Sequence, residues 1–279
     1  MTDTASVVAE RLRAAGCVFA EDEAVILLDA AAESTAALDG MVARRAAGEP
    51  LEQVVGWAEF CGLRILVDAG VFVPRRRSEF LVSVAVSEAM SGAMSLRRPL
   101  VIADLCCGTG ALGLAVAAGL GGTRDGRAYE LYAVDLDPAA AACARRNVGP
   151  AGGRVYGGDL FAALPLALRG GIDVLICNAP YVPSSDIEFM PAEAREYEAR
   201  VALDGGDDGL AVLRRVTAQA SGWLRDAGVL LVETSERQAQ SMAAVMAAAA
   251  LVPQVCSDDE YGATVVTGTR ARHAGHQAG

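Results

Sequence analysis

Apolar residues recur along this chain in two rhythms, and the change from one to the other divides it. Through the first 50 residues the spacing is helical: Ala5 to Ala15, stopped by Gly16, then Glu21 to Ala31 with Val25 and Leu28. A third helix is expected from Thr35 to Ala47, with Gly48 and Pro50 beyond it as a stop signal. From Leu51 to Val67, "LEQVVGWAEFCGLRILV", the runs shorten to strand length and turn at Cys61-Gly62, which predicts a β-hairpin. After "VFVPRRRS" the pattern predicts a helix with Ser78 as N-cap, running to about Met90, and then a linker, "SGAMSLRRP", from Ser91 to Pro99.

From Leu100 short apolar runs alternate with Ala-rich helical segments. The expected strands are "VIADL", "LYAVDL", "RVYGG", "DVLIC" and "GVLLVET". Strands separated by helices imply a parallel sheet covered on both faces. The last runs, "VPQVCS" and "ATVVTGT", have no helix between them and are expected to close the sheet as an antiparallel hairpin. The division that follows is a helical module over 1–50, a hairpin and connecting helix over 51–99, an α/β domain over 100–270, and a disordered tail over 271–279.

Composition narrows the chemistry. Hydrophobic residues are 53% of the 279, enough for a packed core, and the longest apolar run, "MAAVMAAAALV", is short of the roughly 20 residues of a membrane span. No basic-then-apolar leader opens the chain, so a soluble cytoplasmic protein is expected. The seven cysteines show no C-x-x-C spacing and read as reduced core residues. The two histidines, His273 and His276, lie in the tail, which excludes a histidine triad or a histidine-ligated metal in the core. All 24 basic residues are arginine, which excludes a lysine Schiff base. A formal charge of −11 argues against nucleic acid as a partner.

"DLCCGTGALGLAVAA" follows the first parallel strand. Its Gly108-Thr109-Gly110-Ala111-Leu112-Gly113 is a G-x-G-x-x-G loop, and Asp135 ends the next strand 22 residues after Gly113, where a carboxylate meets a ribose diol. The loop alone fits NAD and S-adenosylmethionine equally. Asp104, inside the first strand, would face the cationic methionine end of the latter but repel a pyrophosphate. Asp159 in "GGDLF" follows the third strand, within reach of an adenine amino group. Three acids at three successive strand ends favour S-adenosylmethionine.

The fourth strand ends in "LICNAPYVPSSD", with Asn178, Ala179, Pro180 and Tyr181 at its exit. This strand is expected beside the first, across the switch point where ligands bind. There the Asn178 carbonyl can accept one hydrogen of a planar amino group. The Ala179 backbone carbonyl, aimed by Pro180, can accept the other. Tyr181 offers a face for stacking. Two acceptors leave the nitrogen lone pair directed at a methyl donor, so alignment does the work and no general base is needed before transfer.

These motifs resemble the HemK/PrmC protein-glutamine N5-methyltransferases: Asn-Pro-Pro-Tyr after the fourth strand, D-L-x-x-G-T-G after the first, and a helical module joined by a hairpin. "RAAGEPLEQVVGWAEFCGLRILVDAGVFVPRRRSEFLV", "AREYEARVALDGGDDGLAVLRRV" and "GVLLVETSERQ", with Glu233, are similar to that family's connector, post-motif segment and fifth strand. The resemblance implies a class I methyltransferase (Rossmann-like) seven-stranded sheet with S-adenosyl-L-methionine as cofactor. It implies Cys106, Cys107, Gly108, Thr109 and Gly110 at the methionine end, Asp135 at the ribose, Asp159 and Leu160 at the adenine, and Asn178 to Tyr181 around the acceptor amide. The N-terminal helices would recognise a protein substrate such as a peptide-chain release factor. Ala179 departs from the family proline, Cys106-Cys107 from its small residues, and Thr234 from the histidine that often follows the glutamate. A small-molecule amide or amine, or adenine in nucleic acid, stays open as acceptor, and so does a cofactor-binding module without catalysis.

Overall fold

The computed structural model describes residues 2–32, 34–93, 98–121 and 129–272. All but the first two residues of the expected tail, both histidines and the middle of the expected linker lie outside them. Three helices open the chain, α1 (Thr2–Ala14), α2 (Ala20–Ala30) and α3 (Thr35–Ala46), followed by the short α4 (Leu51–Val55). They bury Val8, Leu12, Leu27, Val42 and Val54 in a cluster of their own. The first run of the expected hairpin segment is therefore helical. Pro50 precedes α4 and Gly56 closes it in the left-handed conformation, local signals that outweigh the β-branched Val54-Val55.

Strands β1 (Trp57–Phe60) and β2 (Leu63–Leu66) pair antiparallel across Cys61-Gly62. Both turn residues have positive φ, 50° and 71°, as a type I′ hairpin turn requires. A 3-10 turn, Arg76–Ser78, leads into α5 (Glu79–Ala93), so the helix starts one residue beyond Ser78. Glu79 accepts a hydrogen bond from the Cys61 N–H and ties the helix start to the hairpin.

The remaining elements are β3 (Leu100–Leu105), α6 (Ala111–Gly119), β4 (Tyr129–Asp135), α7 (Pro138–Val148), β5 (Arg154–Gly157), β6 (Ile172–Cys177), α8 (Ala192–Tyr197), α9 (Ala211–Trp223), β7 (Leu224–Thr234), α10 (Glu236–Ala248), β8 (Leu251–Asp258) and β9 (Ala263–Arg270). The strands form a seven-stranded sheet in the order β5-β4-β3-β6-β7-β9-β8, with β9 antiparallel to both neighbours. This is the expected parallel sheet with its antiparallel C-terminal hairpin. Every residue of β6 is buried, Asp173 included, as the apolar run Val174 to Cys177 requires of a strand covered on both faces. One face packs Phe161, Trp223 and Met242, and the other Leu81, Val116 and Ile176. Strands β3 and β6 are neighbours, Leu105 beside Cys177, so their carboxyl ends open into one crevice.

Candidate active site

The loop after β3 is shaped mainly by backbone. Gly110, at φ 79°, caps α6, and a Cβ on it would stand 2.6 Å from Val148, so the close approach of α7 admits no side chain there. Asp135 at the end of β4 accepts the Gly108 N–H at 2.7 Å and the Asp137 N–H at 2.9 Å. Asn147 of α7 donates to the Thr109 carbonyl and exchanges hydrogen bonds with both backbone groups of Leu66, stapling the hairpin to the loop. Cys106 and Leu160, at φ 56° and 48°, take left-handed conformations where only glycine is unstrained.

Cys106, Cys107, Gly108, Thr109, Asp135, Asp159 and Leu160 line one cleft together with Asn178, Ala179, Pro180 and Tyr181. The residues read as cofactor-holding and those read as acceptor-holding thus share a cavity. Asp104 and Gly110 do not line it. Asp104 is fully buried; its Oδ2 accepts the Gly113 N–H at 2.9 Å, while its Oδ1 has no partner. Burial pushes this carboxyl up to about 7, against the Gly113 hydrogen bond and reinforced by Asp135. Burial also raises Asp135. Neither acid pairs with an arginine among the described residues. Asp135, a cleft-lining acid beside the glycine loop with no arginine partner among the described residues, fits a cationic ligand; Asp104 lies buried behind the loop. Asp159, by contrast, is held by Arg215 of α9 at 2.6 Å, a partner with no signal in the sequence.

Burial raises the Cys107 and Cys143 thiols, and Cys177 is raised by the Cys106 thiol and by burial. These thiols are protonated packing groups, and all seven cysteines are free. No cluster of three metal-ligating side chains occurs among the described residues.

The acceptor end is assembled by side chains from distant segments. Ser78 is 2% exposed, and its hydroxyl accepts a hydrogen bond from Asn178 Nδ2 at 3.3 Å rather than serving the helix after it. Tyr181 donates its hydroxyl to Glu233 Oε1 at 2.9 Å, and the same oxygen accepts from Arg77 Nε at 3.0 Å. The Arg77 guanidinium lies over the Tyr181 ring, 5.6 Å from its centroid. Burial and the Glu233 carboxylate raise the Tyr181 hydroxyl, so it stays a donor. Gln238 Nε2 donates at 2.9 Å to the backbone carbonyls of Tyr181 and Asp208. The loop 204–209 wraps the exit: a Cβ on Gly209 would stand 2.2 Å from the Tyr181 carbonyl oxygen.

Two segments roof the cleft. Gln53 of α4 accepts the Gly70 N–H and donates to the carbonyls of Val71 and Tyr197. Glu198, its side chain inaccessible, accepts from the Val73 N–H at 3.1 Å and pairs with Arg75 at 2.6 Å.

No family model matches the chain. It is 35% identical over 240 residues to a release factor glutamine methyltransferase of Geobacter sulfurreducens, covering 85% of this chain and 79% of that one. It is 35% identical over 213 residues to a 4-amino-L-phenylalanine/4-methylamino-L-phenylalanine methyltransferase of Streptomyces pristinaespiralis, covering 74% and 68%. Among solved structures, a ribosomal protein L11 methylase of Lactobacillus delbrueckii superposes with a TM-score of 0.50 over 75% of this chain and 86% of that one, at 14% identity, which shows the shared fold. With a class I methyltransferase sheet, a loop suited to S-adenosylmethionine and an Asn-Ala-Pro-Tyr exit in one cleft, the chain belongs to the release factor glutamine methyltransferase family.

Proposed function

We propose that this enzyme methylates the side-chain amide nitrogen of a glutamine in a peptide-chain release factor, in the cytoplasm. The observation that carries the reading is the shared cleft: the glycine loop after β3 and Asn178 to Tyr181 after β6 line one cavity at adjacent strand ends. The assignment of the acceptor rests on the relatives' names.

S-adenosylmethionine, when bound, supplies an electrophilic methyl whose bond electrons stay on sulfur. The chain's part is to bind, orient and exclude water. Gly108 and Thr109 suit the methionine end and Asp135 the ribose, with Asp104 buried behind them on the Gly113 N–H; Asp159 and Leu160 suit the adenine. Asn178 Oδ1 and the Ala179 carbonyl accept the two amide hydrogens, and Tyr181 flanks the plane. Holding the nitrogen in line is worth several kcal/mol, on the order of what alignment supplies elsewhere. The module over 1–50 is the substrate-recognition part, joined by 51–99 to the catalytic domain 100–270.

The deciding experiment is calorimetric titration with S-adenosylhomocysteine, NAD as control, then transfer of radiolabelled methyl into a purified release factor and its glutamine-to-alanine variant. Binding of the first ligand alone, with label lost in the variant, is expected. Label on the variant, or none on the wild-type factor, overturns the acceptor. The second relative favours an aryl amine as the competing acceptor, so 4-amino-L-phenylalanine belongs in the same assay.

A further inference from the structure

We propose that the turn Arg77-Ser78 is the positioning element of the acceptor slot: Ser78 holds the Nδ2 end of the Asn178 amide in place, leaving Oδ1 to the acceptor, and Arg77, through Glu233, sets the Tyr181 ring. This deepens the reading above and rests on it. An asparagine side chain has nearly the same shape either way round, but only its oxygen end can accept from an incoming –NH2. Ser78 Oγ engages Nδ2 at 3.3 Å from a site 2% exposed, and no hydrogen bond among the described residues occupies Oδ1. The opposite flip would set amide donors against the donors of the acceptor.

Tyr181 is held by the same turn at one remove. Glu233 is 1% exposed, and one of its oxygens receives both the Tyr181 hydroxyl and Arg77 Nε. A buried carboxylate needs such donors, so Arg77 holds Glu233 in place while covering the ring that Glu233 fixes. Consecutive residues of one turn therefore control both side chains of the motif. Neither residue needs to touch the reacting atoms.

The test uses the full chain. Asn147 and Asn178 are its only asparagines, so protein labelled with 15N-asparagine gives two side-chain amide signals, assigned with Asn178→Ala. Ser78→Ala is expected to move the Asn178 signal and leave that of Asn147. It should lower kcat on release factor by about 100-fold, with KM and S-adenosylhomocysteine affinity little changed. Glu233→Gln is expected to shift the Tyr181 ring carbon in 13Cζ-tyrosine protein and to cost about tenfold in kcat/KM. Glu233→Gln and Tyr181→Phe combined should lose no more than the worse of the two, since both break one unit. Additive losses, or an unmoved Asn178 signal and unchanged kcat in Ser78→Ala, refute the positioning role. If the wild-type enzyme labels no release factor, the functional reading fails by itself, and the amide and tyrosine signals still decide this one.

Discussion

The two ends of the cleft are built in different materials. At the cofactor end, Gly108, Gly110 and Gly113 lie within six residues, and the acids Asp104 and Asp135 spend their hydrogen bonds on backbone N–H groups. At the acceptor end, Ser78 reaches Asn178 across 100 residues of chain and Arg77 reaches Glu233 across 156. A backbone cradle depends on conformation, so what it cannot tolerate is a side chain where the main chain must turn or pack closely, as at Gly110. An assembly of side chains fails when one member is truncated, and its failures are coupled.

Asn178→Ala tests the difference most severely: transfer should fall by more than about 1,000-fold while S-adenosylhomocysteine affinity stays within about threefold, measured by radiolabel transfer and calorimetry. Equal activity would remove the acceptor end from the mechanism. The next effect is on stability. Asp104 titrates near 7 in the folded chain and near 3.8 when unfolded, so folding favours its protonated form. Its contribution is complete below about pH 4 and is lost as pH rises through 7, up to about 4 kcal/mol. Urea unfolding of the ligand-free protein should show this decline, and Asp104→Asn should flatten it; parallel slopes would show that the buried acid is not the cause. Gly209→Ala drives a methyl at the Tyr181 carbonyl from a residue at φ 75° and is expected to cost about 3 kcal/mol, with acceptor KM rising more than cofactor Kd. Asp135→Ala is the mirror of Asn178→Ala: about 30-fold weaker S-adenosylhomocysteine binding, about 2 kcal/mol. Smallest is Cys106→Gly, which relieves a left-handed cysteine and should raise stability by about 0.5–1 kcal/mol in the same urea series.

What the sequence made legible follows the same division. The glycine loop, the strand-ending acids and the N-A-P-Y exit are contiguous, and alternation of strand and helix was enough to set β3 beside β6. Leu51–Val55 misled because five apolar-rich residues carry no period that separates helix from strand; the decisive signals were the flanking Pro50 and Gly56. Ser78 reads as an N-cap because it precedes a helix, and only the fold brings Asn178 to its hydroxyl. Glu233 stood out as a strand-ending acid, yet its partners come from segments 52 and 156 residues away. Arg215, on the exposed side of α9, had no signal beyond its charge. In "DGGDDG" nothing local marks Gly209, which is there because the Tyr181 backbone passes within contact of it.

Gln53 gives the architecture a mechanical property. It belongs to the helical end of the chain, yet its one amide grips Gly70 and Val71 on one side of the roof and Tyr197 on the other. The two roof segments therefore cannot part without breaking a bond to this side chain, and the helices cannot tilt without pulling on both. It works as a linchpin: a load applied to the N-terminal helices reaches both sides of the cover through this glutamine, while the Tyr197 hydroxyl on the Ala47 carbonyl ties one side a second time.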